Sequence, residues 1–315
     1  MFDVISIGSA VVDIFVQSKN FVLKKDKTFP SGQSLSLDFS SKSEISQFLI
    51  SSGGGATNSA VAFSRLGLSS APLSLIGSDL LSTYIKADLQ KENISTAFLA
   101  TSSQEKTDFS VILVAPNGGR SILTNRGSTH LQSRHIPWKK IKKTKWFYLT
   151  SLEGDLDLLE KIIGFAKENH IKIALNPGSR EISQRQKLLS LLSHLDFLLL
   201  NREEAEDLIS SDYDQPSFFP ALQKLDIPLL ALTRGRHGVH LLSPSQNLFS
   251  PSLKSQVVDE TGAGDAFGST FIAALIHQLF PEAALLWALK NSSAVVSQFG
   301  AKTGLLTLKE LRITN

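Results

Sequence analysis

The chain contains no cysteine and a single methionine among its 315 residues. A disulfide framework, a Cys-ligated zinc or iron–sulfur site and a thiol nucleophile are therefore excluded. An excess of charge of one sign is also lacking. Lys and Arg number 32 against 29 Asp and Glu, a net charge of +3, so no strong nucleic-acid-binding field is implied. Long apolar runs are missing too. The richest stretch, Leu188 to Leu200, is broken by Ser190, Ser193, His194 and Asp196, short of the roughly 18 apolar residues a membrane span requires. Met1-Phe2-Asp3 places an acid where a secretory signal needs positive charge, so the expectation is a cytoplasmic protein with no membrane or nucleic-acid partner. A chain of this length buries a full core without staples, and its 42% hydrophobic content suits one.

What is present is an alternation of short apolar runs with longer helical patterns, the mark of a mostly parallel sheet covered by helices. Val4–Ile7, Leu73–Ile76, Trp146–Leu149, Ile171–Leu175, Phe197–Leu200 and Leu229–Leu232 read as strands. Helical periodicity covers Ala56–Leu66, Leu158–Lys167, Gln186–Leu192, Glu203–Ile209, Ala266–Leu279 and Glu282–Val296. Residues 14–40 and 98–125 break this rhythm by alternating apolar with polar side chains, and Asn117-Gly118-Gly119 reads as a hairpin turn. Both stretches are expected to be antiparallel insertions that together form a small β-sheet lid on a single domain, 1–315.

The segment Val257-Val258-Asp259-Glu260-Thr261-Gly262-Ala263-Gly264-Asp265 carries the most chemistry. Small residues directly before a long apolar helix leave backbone amides unobstructed, and the helix dipole reinforces the anion site they form. Asp265 then falls in the first helical turn. An acid beside an anion site hinders simple phosphate binding. It makes sense where the acid takes a proton from a hydroxyl while the amides of Gly262, Ala263 and Gly264 hold charge developing on a transferring phosphoryl group. The competing reading is an ordinary acid beside a flexible glycine turn. A second glycine run, Ser52-Gly53-Gly54-Gly55-Ala56-Thr57-Asn58, lets backbone approach a ligand closely, and Asn58 can both donate to and accept from hydroxyls. A dinucleotide fingerprint is the alternative there, but Gly8-Ser9-Ala10 after the first strand does not supply it.

These two segments resemble the C-terminal and N-terminal signatures of the ribokinase-like (PfkB) carbohydrate kinase family, in the family's order. The resemblance implies a three-layer α/β/α sandwich of ribokinase type with a β-lid, and a kinase using ATP and Mg2+. It makes Asp265 the catalytic base and the 262–264 amides the anion hole. It implies that Asp13, Gly53, Gly54, Gly55 and Asn58 bind the acceptor. Asn201 and Glu204 resemble the family's Asn-x-x-Glu motif that organises magnesium and phosphate. Thr233, Arg234, Gly235 and Gly238 resemble its nucleotide loop, while Asp259 and Thr261 occupy positions associated with a monovalent cation such as K+. Two departures bear on the acceptor: Val11 replaces an Asn, and Gly55 replaces a Lys, that ribokinases proper usually carry. A nucleoside kinase and a non-catalytic sugar- or nucleotide-binding regulator are the alternatives, and a homodimer through the lid is expected.

Among the remaining candidates, Arg120 reads as a solvated edge charge, and Arg126 divides evenly between that role and a phosphorylated acceptor. His237 and His240 read as loop and strand residues. Lys139–Lys143 reads as a solvated basic run. Gly264 is expected to need a positive φ.

Overall fold

The computed structural model describes residues 1–29, 31–126 and 130–313. It opens with β1 (Val4–Ile7), whose four residues are all buried, as expected of a strand covered on both faces. The chain then leaves the body through β2 (Val11–Gln17), β3 (Val22–Lys25), β4 (Gln33–Ser36) and β5 (Gln47–Gly53), and returns in α1 (Gly55–Arg65). Next come β6 (Ser70–Gly77), α2 (Leu80–Lys91), β7 (Leu99–Ser102), β8 (Phe109–Val114) and β9 (Arg120–Asn125). The middle of the chain supplies α3 (Trp138–Ile141), β10 (Trp146–Leu149), α4 (Leu156–Glu168), β11 (Lys172–Leu175), α5 (Ser179–Ile182), α6 (Arg185–Leu192) and β12 (Phe197–Asn201). The rest is α7 (Arg202–Ile209), α8 (Phe218–Gln223), β13 (Leu229–Thr233), β14 (Val239–Leu242), β15 (Asn247–Ser250), α9 (Ala263–Ile276), α10 (Pro281–Val296) and α11 (Leu308–Ile313).

The main sheet runs β15-β14-β13-β12-β11-β10-β1-β6-β7, parallel from β13 to β7 and antiparallel at β14 and β15. Residues alternate faces along each strand. Ile5, Ile7, Phe147 and Leu149 pack with α4, α6, α7 and α8, while Val4, Trp146 and Tyr148 pack with α1, α9 and α10. Three layers result, as expected. The strand order reverses at β1, which has β6 on one side and β10 on the other. The crevice beyond the carboxyl ends of these strands is where open α/β sheets place ligands.

A second sheet, β5-β2-β8-β9, forms the lid, and β3 with β4 makes a separate two-stranded ribbon. The lid segments differ from the expected boundaries. The first runs from Val11 to Gly53, well past residue 40, and Pro30 within it lies outside the described residues. The second begins at Phe109, because Leu99–Ser102 pairs parallel with β6 as the edge of the main sheet. β7 is only four residues long, Leu-Ala-Thr-Ser, with one buried and one exposed side chain, so its sequence does not separate an edge strand of the main sheet from the lid that follows it. The hairpin at 117–119 joins β8 to β9 as expected.

Helix α2 has no strong apolar stripe, with only Ser82, Ile85 and Leu89 buried, and it starts on its cap. Asp79 Oδ1 accepts from Ser82 N at 2.9 Å and from Thr107 Oγ1 at 2.7 Å, and Oδ2 accepts from Thr107 N at 2.8 Å. One carboxylate thus starts the helix and anchors the segment leading into β8. Asp79→Ala should cost about 1–3 kcal/mol, a lost cap plus two lost hydrogen bonds. Urea unfolding should show a lower midpoint at unchanged slope; an unchanged midpoint would show that the cap contributes nothing.

Candidate active site

The turn before α9 is built by a buried acid. Asp259 Oδ1 accepts from Thr261 N at 2.9 Å and Thr261 Oγ1 at 2.6 Å, and Oδ2 accepts from Gly300 N at 3.0 Å. The chain then passes through Gly262 in the left-handed region (φ 81°), where a Cβ would lie 2.6 Å from Ala301 O. Here the positive φ falls on Gly262 rather than on Gly264. Gly264 is helical, and nothing lies within 4 Å of where its side chain would point. Its lack of a side chain leaves the first amides of α9 open.

Asp265 follows in the first turn of α9. Asn58, on α1 and 207 residues away, donates from Nδ2 to Asp265 Oδ2 at 2.9 Å. Desolvation pushes the Asp265 carboxyl above its usual range, and the Asn58 hydrogen bond partly offsets this. Asn58 Oδ1 is buried without a protein partner. The glycines before it make close approaches. Gly54 (φ 87°) would place a Cβ 2.5 Å from Ser9 O, Gly55 would place one 2.5 Å from Thr150, and Gly53 would place one 1.8 Å from Asp13 Oδ2. Asp13 is 7% exposed on β2, opposite Ser51 of β5 and Ser110 of β8. Desolvation raises its pKa to about 6, against the opposing effects of a Ser110 hydrogen bond and the Lys302 charge. Asp13, Gly53, Asn58 and Asp265 therefore form one constellation above the switch point.

Two groups that support it carried no signal in the sequence. Lys302 is buried, donating to Ser52 Oγ at 2.5 Å and Asp88 Oδ2 at 3.0 Å, while Ser52 N and Oγ also donate to that oxygen. This brace ties the residue before Gly53 to α2 and to the loop packed on Gly262. The second is Glu181, which is 1% exposed and accepts from Leu152 N, Gly154 N and Gly178 N at 2.7–2.9 Å. It holds the loops after β10 and β11 together. A lone Lys or Glu is an ordinary surface residue by sequence, so only the packing reveals both.

The remaining predicted residues form a second group at the carboxyl ends of β12 and β13, where Asn201 and Thr233 are register neighbours. Asn201 Oδ1 accepts from Glu204 N at 2.8 Å, and Glu204 Oε2 accepts from Asn201 N at 2.9 Å. The pair is thus a reciprocal cap on α7, and burial pushes the Glu204 carboxyl up. Gly235 (φ 52°) and Gly238 (φ 99°) shape the loop, closed by Arg234 N donating to Gly238 O at 2.9 Å. The Arg234 guanidinium lies 4.1 Å from the Tyr213 ring centroid. Arg120 pairs with Glu260 at 3.6 Å, while Arg126 pairs with Glu153, which also holds Arg180 at 3.0 Å. His240 bonds Tyr213 Oη and Asn247 Oδ1. Among the described residues no cluster of three or more His, Cys, Asp or Glu could hold a metal, and no helix is long and apolar enough to cross a membrane.

A glycine turn opening α9, an adjacent acid and a polar cluster meet at the switch point of the sheet, and residues 1–308 match the pfkB family carbohydrate kinase pattern. The chain belongs to that family, and it is a carbohydrate kinase. It is 29% identical to the ribokinase of Haemophilus influenzae over 269 residues, covering 84% of this chain and 87% of that protein. To the nucleoside kinase of Methanocaldococcus jannaschii it is 26% identical over 262 residues, covering 81% and 82%. Among solved structures, an E. coli protein described as a ribokinase II, in complex with ATP and Mg2+, superposes with a TM-score of 0.79 at 20% identity, covering 99% of this chain and 98% of that one. The fold is therefore that of the ribokinases.

The open space above Gly264 sets up a separation of folding from catalysis. Gly264→Val puts a branched side chain over the amides without a positive φ to strain it. Turnover should fall about 10²-fold or more, the scale for losing one anion-hole donor, with the melting temperature nearly unchanged. Full activity in the folded variant would show that these amides do not face phosphate.

Proposed function

We propose that this kinase transfers the γ-phosphoryl group of ATP to a hydroxyl of a sugar or sugar derivative, with Asp265 as the base. The observation that carries the reading is the Asn58–Asp265 contact beside the unobstructed amides of α9. Asp265 would accept the acceptor hydroxyl's proton, and its desolvated carboxyl is a stronger proton acceptor than an exposed one. The 262–264 amides would hold charge developing on the phosphoryl oxygens. Asp13 and the unpartnered Asn58 Oδ1 would bind the acceptor's other hydroxyls and aim the reacting one.

Asn201, Glu204, Thr233, Arg234, Gly235 and Gly238 would hold the nucleotide at the ends of β12 and β13. The related ribokinase II complex with ATP and Mg2+ supports this donor. Capping engages one Glu204 oxygen, leaving carboxylate capacity for Mg2+, which takes few protein ligands when phosphates supply the rest. Mg2+ would neutralise phosphate charge when bound. A monovalent cation such as K+ belongs beside Asp259 and Thr261, whose oxygens keep lone pairs beyond the bonds bracing the turn. We also infer a cytoplasmic protein that pairs through its lid, where Phe48 and Leu123 are exposed.

The test is an ATP-consumption screen over pentoses, hexoses, their phosphates, sugar acids and nucleosides. Val11 and Gly55 keep nucleosides in the panel, and a nucleoside as best acceptor would replace the sugar reading. Asp265→Asn should lower turnover by about 10²–10⁴-fold with ATP binding kept; a loss within tenfold removes Asp265 as the base.

Asp13 adds a pH signature. Its ionised carboxylate accepts from acceptor hydroxyls, and protonation near pH 6 removes that capacity. Acceptor kcat/KM should therefore fall as pH drops through about 6. In Asp13→Asn the part of that limb due to Asp13 should be lost, leaving the acid limb of Asp265 alone, and kcat/KM should fall about tenfold to a hundredfold, with the ATP KM unchanged. An unaltered acceptor KM would make Asp13 a structural acid.

A further inference from the structure

The loop after α10 touches both halves of the site. Toward the anion turn, Gly300 N donates to Asp259 Oδ2, and Ala301 lies directly under Gly262. Toward the lid, Phe299 meets Phe15 of β2 edge-on at 5.8 Å, and Ala301 is buried with Phe15, Ile112 and Val114 in the core of the lid sheet. Gly300 presses on Leu49 of β5. Arg65, at the end of α1, pins the loop's backbone by donating from Nη1 to Lys302 O at 3.0 Å and to Leu305 O at 2.9 Å. Glu92 holds that guanidinium from its other side. Four neighbouring residues therefore form a strut between the lid and the turn that opens α9.

Packing of this kind needs no charge, yet the strut ends in Lys302, which is only 7% exposed. Burial pushes its ammonium below the usual range, and the Asp88 contact opposes that. A buried ion pair is often no more stabilising than an apolar pair of the same volume, so stability alone does not account for it. Direction does. Asp88 Oδ2 collects three donors, Ser52 N, Ser52 Oγ and Lys302 Nζ, and Lys302 also donates to Ser52 Oγ. An apolar pair would fill the space without fixing Ser52. The next residue, Gly53, lies against Asp13, and α1 with Asn58 starts at Gly55. We propose that Lys302 is a positioning residue for phosphoryl transfer: with Asp88 it locks the end of β5 to the strut, and so holds the acceptor wall of the lid in register with the amides of α9. The inference rests on the reading of Asp265 as the base and Asp13 as an acceptor contact.

Lys302→Met keeps an unbranched side chain and removes the charge. With the sugar or nucleoside that the ATP-consumption screen ranks first, acceptor kcat/KM should fall about tenfold to a hundredfold at an unchanged ATP KM, because a hydroxyl displaced by about an ångström is poorly aimed. ADP formed per acceptor phosphorylated should rise above one, since a lid out of register admits water to the phosphoryl group. The single variant also strands the Asp88 carboxylate and should melt lower. Combining Lys302→Met with Asp88→Leu removes both charges, so the melting temperature should recover while the acceptor defect and the excess of ADP persist. Parental acceptor kinetics and a one-to-one ADP ratio in the double variant, whatever its melting temperature, would reduce the pair to packing and overturn the proposal. The readings fail separately. An active Asp265→Asn enzyme removes the base, and an unaltered acceptor KM in Asp13→Asn removes the acceptor wall, both with Lys302 intact. Losses in those two variants beside a double variant of parental kinetics remove only the lysine's role.

Discussion

The hydrogen bond from Asn58 to Asp265 is the contact on which the site depends. It joins residues 207 apart, and it brings the start of α1, fed by the lid, against the start of α9, fed by the anion turn. Neither half is complete alone. In the proposed mechanism the glycine run and Asp13 hold the acceptor while the turn before α9 supplies Asp265 and the amides, so each half needs the other. Folding must therefore pay for a desolvated carboxylate at this junction, a cost that natural folds concentrate at functional sites.

Much of this was legible in the sequence, because the positions concerned violate local expectation. Glycines at 53–55, 262 and 264 interrupt strong patterns, and Asp13 is an acid inside an apolar strand. The parallel strands were legible for a plainer reason: they are buried on both faces and read as near-continuous apolar runs. Even the lid was visible through its alternation. Its limits were not, because the edge strand β7 is four residues of mixed polarity, Leu-Ala-Thr-Ser, too short to be told from the lid strands that follow it.

What escaped sequence reading depends on long-range packing. Lys302 and Asp88 meet 214 residues apart, and Glu181 gathers amides from two loops. Helix α2 starts on a cap rather than an apolar stripe. Motifs also carry two meanings at once. Asn201 and Glu204 bear a family signature, yet their spacing is that of a reciprocal helix cap, and one pair of side chains satisfies both demands.

The route of the chain into the lid has a thermodynamic consequence. Only residues 8–10 separate β1 from β2, and only Gly54 separates β5 from α1, so the lid has no slack at its base. Asp13 rides on β2 and Gly53 ends β5, paired across from Val11. On the proposed role of Asp13 and Gly53 in holding the acceptor, a tilt of the lid would carry the acceptor pocket's wall with it. Closure and acceptor recognition would then be a single coordinate, and linkage would make them reciprocal: an acceptor that favours the closed form would be held more tightly by whatever else closes it, in equal measure.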